Sequence, residues 1–376
     1  MNFDNLKIAL IHDWCYVNGG AEKVVKAINE VWPQIDNYTL FDVMNSSDKE
    51  YIFGKKKLTP SFIQYFPFLK KKHRYYFPLF KYAIEEFNLD KYDIVLTSSA
   101  GFSKNVLTNH NQLHICYCHS PMRYAWDFYH SYTNKRQLKN PILRNVVKLF
   151  FHKLRIWDVI GSNRVDFFVV NSKNIRNRLN KIYRRDSYVI YPPVDVEGFS
   201  LSKEKQSYYV TASRLVDYKR VDIIVEAFNN LSDKKIYIIG SGPEQKKLEK
   251  KAISKNIIFL NHISKDELIN KFQKAKAFIF AANEDFGIVP VEAQACGTPV
   301  IAYASGGSLE TVINKKTGLY FEEQTKESLV NAVIDFEKIK LNQNEIRQNA
   351  ENFSTKAFKS RLKSFVELKY KEFIEK

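Results

Sequence analysis

The chain has 376 residues, so we expect two domains of comparable size, and its 45% apolar content is sufficient for two cores. No run approaches the roughly 18 consecutive apolar residues of a membrane-spanning helix, and the first residues lack the basic patch and apolar stretch of a secretory signal. Four scattered cysteines favour reduced, buried thiols over disulfides or a metal site. These features argue against a disulfide-rich secreted protein and predict a cytoplasmic location.

The positive charge is concentrated in the first half of the chain. The formal net charge is +17, of which residues 1–195 contribute +12, from 29 Lys and Arg against 17 Asp and Glu. Such a basic half attracts nucleic acid, an anionic membrane surface or a phosphorylated substrate. A general lysine bias of the genome is the alternative explanation.

Short apolar runs predict the buried strands of the first half, at 7–11, 93–97, 113–118 and 167–170. After the first run, Gly19 and Gly20 precede a helix beginning near Ala21, so backbone amides could approach a phosphate closely. This loop has neither the Gly-Lys-Ser/Thr of a P-loop nor the complete Gly-x-Gly-x-x-Gly dinucleotide fingerprint, which disfavours an oxidoreductase. His119 falls where the strand 113–118 ends and could donate a hydrogen bond to a substrate. A buried structural histidine is the alternative.

A basic, aromatic segment at 55–82 interrupts this pattern. It interleaves lysines with Phe and Tyr, and Pro60, Pro67 and Pro78 break any long helix. This composition suits contact with an anionic membrane surface, as does the amphipathic helical spacing at 143–157. An internally packed lid and a core-facing helix are the respective alternatives.

The stretch Tyr-Pro-Pro-Val-Asp at 191–195 indicates the join between two domains, because its prolines restrict the backbone. We predict an N-terminal domain over 1–195, a C-terminal domain over 196–354 and a final helix over 355–376 that could pack on the N-terminal domain. In the C-terminal domain, apolar runs alternate with helical segments, which predicts a parallel sheet with both faces covered. These runs lie at 208–212, 235–239, 257–260, 277–281 and 299–303.

Charged residues follow several of these runs. Arg214 and Lys219 come after the strand 208–212 and offer a fork-shaped donor and a point charge to a diphosphate. Glu284 lies in a loop, and Glu292 lies about one turn into a helix starting near Ile288, whose amino end suits a phosphate or sugar hydroxyls. Taken singly, each of these side chains is also typical of a solvated surface, so the inference depends on their context.

Four motifs resemble those of glycosyltransferase family 4: CHSPMRYAWD at 118–127, SRLVDYKRVD at 213–222, GSGPE at 240–244 and EDFGIVPVEAQACGTPVIA at 284–302. The resemblance implies an α/β chain with the GT-B fold, in which two Rossmann-like, doubly wound domains face each other across a cleft. It also implies a retaining transfer from a nucleotide sugar without a metal or other cofactor. In agreement, the sequence has no Asp-x-Asp near a strand end to hold Mg²⁺.

The resemblance assigns roles to individual residues. His119 and Glu284 would be catalytic, with His119 at the reacting centre and Glu284 on the hydroxyls of the donor sugar. Glu292 would hold the ribose. The donor sugar would also contact three consecutive residues: Phe286, Gly287 and Ile288. The donor diphosphate would be bound by two cations and two glycines: Arg214, Lys219, Gly19 and Gly20.

The segments 117–129 and 213–228 also resemble bacterial mannosyltransferases that use GDP-mannose to build O-antigen or other surface polysaccharides. This implies an acceptor that is a glycan or an undecaprenyl-type lipid-linked glycan, and a position at the inner face of the cytoplasmic membrane. A UDP-glucose or UDP-N-acetylglucosamine donor is the alternative within the same chemistry. A basic nucleic-acid-binding protein is the alternative of another class, but it leaves the placement of Glu284, Glu292 and His119 unexplained, so we expect no nucleic-acid partner.

Overall fold

The computed structural model describes residues 3–133, 140–202 and 204–375. The chain divides into two compact units, the first made of Met1–Pro192 with Phe358–Lys376 and the second of Pro193–Ala357. The division falls inside the proline-containing stretch, between Pro192 and Pro193, whereas the sequence predicts it after residue 195. The second unit also continues beyond the predicted limit at 354, to Ala357.

The first unit is built on a parallel sheet. Its strands are β1 Ile8–His12, β2 Asp36–Thr39, β3 Leu58–Pro60, β4 Ile94–Ser99, β5 Leu113–Cys118, β6 Phe167–Val170 and β7 Ser187–Val189. They pair in the order β3-β2-β1-β4-β5-β6-β7. Its helices are α1 Gly20–Val31, α2 Ser46–Phe53, α3 Leu69–Lys72, α4 Phe80–Glu85, α5 Tyr129–Thr133, α6 Pro141–Ser162 and α7 Lys173–Tyr183. The fully buried strands β1, β4 and β5 lie at the centre, as expected for strands covered on both faces.

The second unit repeats this design with six strands. They are β8 Tyr208–Ala212, β9 Lys235–Ile239, β10 Ile257–Leu260, β11 Ala277–Phe280, β12 Val300–Tyr303 and β13 Gly318–Phe321, in the order β10-β9-β8-β11-β12-β13. The helices are α8 Val221–Asn229, α9 Gln245–Lys251, α10 Lys265–Lys274, α11 Ile288–Ala295, α12 Ser308–Thr311, α13 Lys326–Phe336 and α14 Gln343–Glu351. Two parallel, doubly wound sheets confirm the predicted fold class.

The last helix, α15 Thr355–Ile374, packs on the first unit although it follows the second in sequence. Its buried residues recur at helical spacing and join the core around β1 and α1: Phe358, Leu362, Val366 and Tyr370. Outside the core, Lys359 Nζ lies 3.0 Å from a carboxylate oxygen of Glu30 on α1. Within the described ranges, no helix combines the length and apolar character needed to cross a bilayer.

A buried ion pair joins α6 to the turn that follows β4 in the first unit. Lys104, which is 1% exposed, contacts the carboxylate of Asp158 on α6, which is fully buried. The other oxygen of this carboxylate accepts hydrogen bonds from Trp126 Nε1 at 2.8 Å and from the hydroxyl of Tyr183 at 2.9 Å. Both oxygens of the carboxylate are therefore hydrogen-bonded, as a buried charge requires.

We expect Asp158→Ala to lower the free energy of unfolding of the first unit by about 3–5 kcal/mol, because it leaves Lys104 charged and unpaired in the interior. All four tryptophans of the chain lie in this unit, so fluorescence-detected urea unfolding reports on it selectively. Glu367→Ala, which removes the exposed pair with Lys363 on α15, should cost less than about 1 kcal/mol. Equal losses in the two variants would contradict the assignment.

Candidate functional site

In the second unit, the predicted donor residues follow neighbouring strands. Because β8 and β11 pair in parallel, their carboxyl ends meet at one edge of the sheet. The loop after β8 carries Arg214 and Lys219, and the loop after β11 carries Glu284. Arg214, Lys219 and Glu284, which are far apart in sequence, therefore lie at the same edge of the sheet.

Two glycines fix the loop that carries Arg214. Gly240 has φ +123°, and a Cβ there would lie 2.0 Å from the carbonyl oxygen of Ser213. A Cβ at Gly242 would lie 2.2 Å from the carbonyl oxygen of Leu215, whose N–H donates to Ser241 O at 2.9 Å. The Gly-Ser-Gly-Pro loop after β9 is thus pressed against Ser213–Leu215. This contact leaves the Arg214 side chain exposed and the Ser213 hydroxyl buried without a hydrogen-bond partner among the described residues.

Lys219 and Glu284 form an ion pair. The two side chains are only 17% and 19% exposed, so solvent screens their attraction less than it would at the surface. Burial lowers the pKa of Lys219 to about 8, whereas the adjacent carboxylate favours the ammonium form. The structure therefore brings these two predicted residues into direct contact, with a cation and an acid side by side.

A second pair of glycines, not predicted from the sequence, holds the Glu284 loop. The N–H of Gly307 donates to Glu284 O at 2.7 Å, and a Cβ at Gly306, which has φ +62°, would lie 2.3 Å from the same oxygen. A Cβ at Gly307 would collide with the backbone of Phe286. A Gly-Gly pair separated by two residues from the end of β12 was the available signal.

Helix α11 begins at Ile288, as predicted. Gly287 precedes it with φ +87°, a conformation that favours glycine, and Phe286 is buried with its ring 5.5 Å from that of Phe353. Glu292 lies one turn into the helix and is 7% exposed, so it is far more buried than a typical surface acid. The amino end of α11 thus starts from a firmly packed loop.

In the first unit, His119 follows β5 and contacts the neighbouring strand. Its ring Nε2 lies 2.8 Å from the hydroxyl of Ser98 on β4, and its backbone N–H donates to Ser99 O at 2.8 Å. Burial lowers the pKa of His119 to about 3, and the positive charge of the nearby His12 acts in the same direction. His119 is therefore a neutral imidazole near pH 7.

Gly19 and Gly20 lie at the start of α1. Gly20 is exposed and is the first residue of the helix, whereas the N–H of Gly19 donates to a carboxylate oxygen of Glu22 at 3.0 Å. The Gly19 amide, which the sequence analysis assigns to a diphosphate, is therefore already engaged within the chain. Glu22 was not singled out from the sequence, because an acid in a first helical turn is common for electrostatic reasons alone.

No group of three or more His, Cys, Asp and Glu side chains is arranged to hold a metal ion in the part of the chain that the structure describes. The four cysteines are buried free thiols. Burial raises the pKa of both Cys15 and Cys296 to about 12, so neither is a reactive thiolate.

Two tandem α/β units with parallel sheets, each with polar residues at the carboxyl ends of its strands, define the GT-B class. The structure of Anabaena HepE in complex with UDP and glucose has this fold, with a TM-score of 0.68, 16% identity and coverage of 96% of this chain and 100% of that one. Residues 194–353 match the family of glycosyl transferases group 1, and residues 18–197 match glycosyltransferase family 4. The chain belongs to glycosyltransferase family 4.

Two curated relatives illustrate the range of the family. An uncharacterized glycosyltransferase of Methanocaldococcus jannaschii is 29% identical over 224 residues, which are 57% of this chain and 60% of that protein. A GDP-mannose-dependent monoacylated alpha-(1-6)-phosphatidylinositol monomannoside mannosyltransferase of Corynebacterium glutamicum is 33% identical over 165 residues, 39% of this chain and 43% of that protein. The chain thus spans about half the length of these relatives.

Proposed function

We propose that the chain is a retaining glycosyltransferase that moves mannose from GDP-mannose to a glycan or lipid-linked acceptor. The observation that carries the proposal is the ion pair between Lys219 and Glu284, held by glycine loops at the strand edge of the second unit. The choice of mannose is supported by the name of the Corynebacterium relative and by a Mycolicibacterium smegmatis relative, 32% identical over 142 residues, that is also named as GDP-mannose-dependent. Family membership disfavours the nucleic-acid-binding alternative.

In this proposal the second unit binds the donor. Arg214 and Lys219 contact the diphosphate. The Ser213 hydroxyl, which has no hydrogen-bond partner among the described residues, donates a hydrogen bond to a phosphate oxygen. Glu292 holds the ribose. Glu284 accepts hydrogen bonds from the sugar hydroxyls, together with the Phe286–Ile288 backbone. Because Lys219 touches Glu284, its ammonium sits where the sugar and diphosphate meet and opposes the charge that develops as the leaving group departs.

The proposed reaction proceeds on one face of the sugar. The acceptor hydroxyl oxygen forms a bond to the anomeric carbon while the bond from that carbon to the phosphate oxygen breaks. The hydroxyl proton passes to the departing phosphate oxygen, which serves as the base. The configuration at the anomeric carbon is thereby retained. Two cations and the amino end of α11 supply the positive charge that the leaving group needs, so the proposal requires no metal ion.

We also propose that the first unit binds an anionic membrane surface. The surface used would be the exposed basic and aromatic side chains of the 55–82 segment, here called the basic aromatic surface: Tyr65, Phe68, Lys70, Lys71, Lys72 and Tyr75. Rings at headgroup depth with lysines beside them suit such a surface. Other aromatic residues of this segment pack inward, with the Phe77 ring 5.2 Å from that of Phe102.

Helix α6 extends the proposed membrane contact. Its first turns expose four apolar side chains: Ile142, Leu143, Val146 and Leu149. The same helix is joined to the 55–82 segment, because the ring of Phe150 lies 6.0 Å from that of Phe77. Exposed apolar residues on a helix beside exposed lysines are typical of interfacial helices.

We expect GDP-mannose to raise the melting temperature of the protein more than UDP-glucose or UDP-N-acetylglucosamine does, because a donor that binds only the folded state stabilises it. Lys219→Ala should reduce the shift, whereas Lys338→Ala, at an exposed position 68% accessible, should leave it unchanged. A larger shift with a UDP-sugar would replace mannose by the alternative donor. No shift with any nucleotide sugar would contradict donor binding.

We expect Glu284→Gln and His119→Ala each to lower the turnover number by about 10²–10³-fold, the usual effect of removing one aimed polar group from a transferase site. Circular dichroism should show that both variants are folded, and Glu327→Gln, an exposed acid of the same unit, should retain full activity. Activity should persist in EDTA. Near-normal turnover in both site variants would refute the site, and loss of activity with the chelator would refute the metal-free mechanism.

Replacing Lys70, Lys71 and Lys72 by glutamine should weaken binding to phosphatidylglycerol-containing vesicles by about 1 kcal/mol per lysine. Sedimentation with vesicles measures this, and vesicles of phosphatidylcholine alone should bind neither protein strongly. The matched control replaces three exposed lysines of the second unit, Lys246, Lys250 and Lys255. If both triple variants bind like the wild type, the 55–82 segment is a packed lid and not a membrane contact.

A further inference from the structure

A line of four polar side chains in the first unit ends at His119. Glu22 Oε1 lies 3.6 Å from His12 Nε2, and His12 Nδ1 lies 3.1 Å from both the carbonyl oxygen and the hydroxyl of Ser98. The Ser98 hydroxyl in turn lies 2.8 Å from His119 Nε2. The first three residues are almost completely buried, at 7%, 4% and 0% exposure. None of them belongs to the site assigned above.

The chemistry of its neighbours fixes the protonation of His12. A carbonyl oxygen can only accept, so the 3.1 Å contact with Ser98 O favours a proton on Nδ1. On the other side, Nε2 faces a carboxylate, which an unprotonated nitrogen would repel. Both contacts favour a protonated nitrogen, and we infer that His12 is an imidazolium. The pKa values agree: burial alone would lower the pKa of His12, but Glu22 and Asp13 raise it overall.

The direction of the hydrogen bonds between His12, Ser98 and His119 then determines the tautomer of His119. The Ser98 hydroxyl faces the His12 Nδ1–H donor with its oxygen, so its own proton is available for His119 Nε2. A nitrogen that accepts this bond carries no proton, and the proton of the neutral His119 ring must be on Nδ1. Nδ1 has no hydrogen-bond partner among the described residues, and the ring is partly exposed. Its N–H is free to donate to a ligand.

Glu22 links this arrangement to the loop before α1. Its second carboxylate oxygen, Oε2, accepts the Gly19 N–H at 3.0 Å, while Oε1 faces His12. One buried carboxylate therefore holds the glycine loop and the charge on His12 together. His12 in turn keeps His119 neutral, because two positive rings joined through one hydroxyl would repel.

We propose that Ser98, His12 and Glu22 are positioning residues that hold His119 as the Nδ1–H tautomer, so that it presents an N–H donor to a hydroxyl group of the substrate. The use made of this donor rests on the function proposed above, whereas the tautomer itself does not. The three residues act only through His119 and the Gly19 loop.

The tautomer can be measured by ¹⁵N NMR on protein labelled with [¹⁵N]histidine, without any ligand. At pH 7 we expect His119 to show a protonated Nδ1 and an unprotonated Nε2, and His12 to show two protonated nitrogens. Loss of signals in His119→Gln and His12→Gln assigns them among the eight histidines. An Nε2–H or mixed tautomer for His119 in the wild type would overturn the inference, even if sugar transfer is never detected.

Variants of two buried serines test the route of the effect. Ser98→Ala should abolish the single tautomer of His119 and lower the turnover number by about tenfold to a hundredfold with little change in the donor KM. Ser98→Thr, which keeps the hydroxyl, should restore the tautomer. Ser103→Ala is the matched control, because Ser103 is equally buried and donates to Ser98 O at 3.0 Å without contacting His119. An unchanged His119 tautomer in Ser98→Ala, or an equal change in Ser103→Ala, would refute the role of Ser98.

Discussion

The ion pair between Lys219 and Glu284 depends on backbone segments that approach each other more closely than side chains would allow. Glu284 stays in place because Gly306 and Gly307 lie against its loop, and the loop before Lys219 stays in place because Gly240 lies against Ser213. A methyl group at any of these glycines would fall within about 2.3 Å of a backbone atom. Backbone contacts thus fix the positions of the two charged side chains before a ligand binds. This preorganisation reduces the entropy lost when a ligand binds.

The first unit uses the same edge of its sheet for a different electrostatic purpose. His12 ends β1 and His119 follows β5, and the Ser98 hydroxyl on the intervening strand β4 joins them. Both rings are largely buried, yet their pKa values are shifted in opposite directions. The difference comes from their partners: His12 faces the carboxylate of Glu22, whereas His119 contacts the hydroxyl of Ser98 and has the charge of His12 nearby. Burial lowers the pKa of an isolated histidine, and a carboxylate at contact distance reverses this.

The sequence was sufficient for most of the apolar strands, including the edge strand β10, but not for the short or polar strands or for the contacts. Strands β2 and β7 were missed because their polar residues carry little apolar pattern, and β3 because it has three residues and ends in Pro60. The sequence places His119 and Arg214 just after strands, as the structure does, because each follows a clear apolar run. The pairing of Lys219 with Glu284 could not be predicted from spacing, since it follows from the adjacency of β8 and β11. Glu22 and Ser98 could not be singled out from the sequence, because their proposed roles depend on contacts with His12 and His119 that form only in the folded chain.

The net charge of +17 overstates the positive surface that is available to a partner. Lys104 forms an ion pair with Asp158, Lys56 donates to the carbonyl oxygens of Asn29 and Trp32, and Arg185 donates to three backbone carbonyl oxygens. These cations stabilise the first unit and attract nothing from outside. The exposed lysines of the basic aromatic surface differ, because they are solvated and stand beside exposed rings. A packed lid explains the buried rings of the 55–82 segment but gives no reason to expose Tyr65, Phe68 and Tyr75, at 83%, 72% and 77%. Packing of the inner rings is therefore compatible with the proposed membrane contact, because the inward rings would fix the orientation of the outward ones.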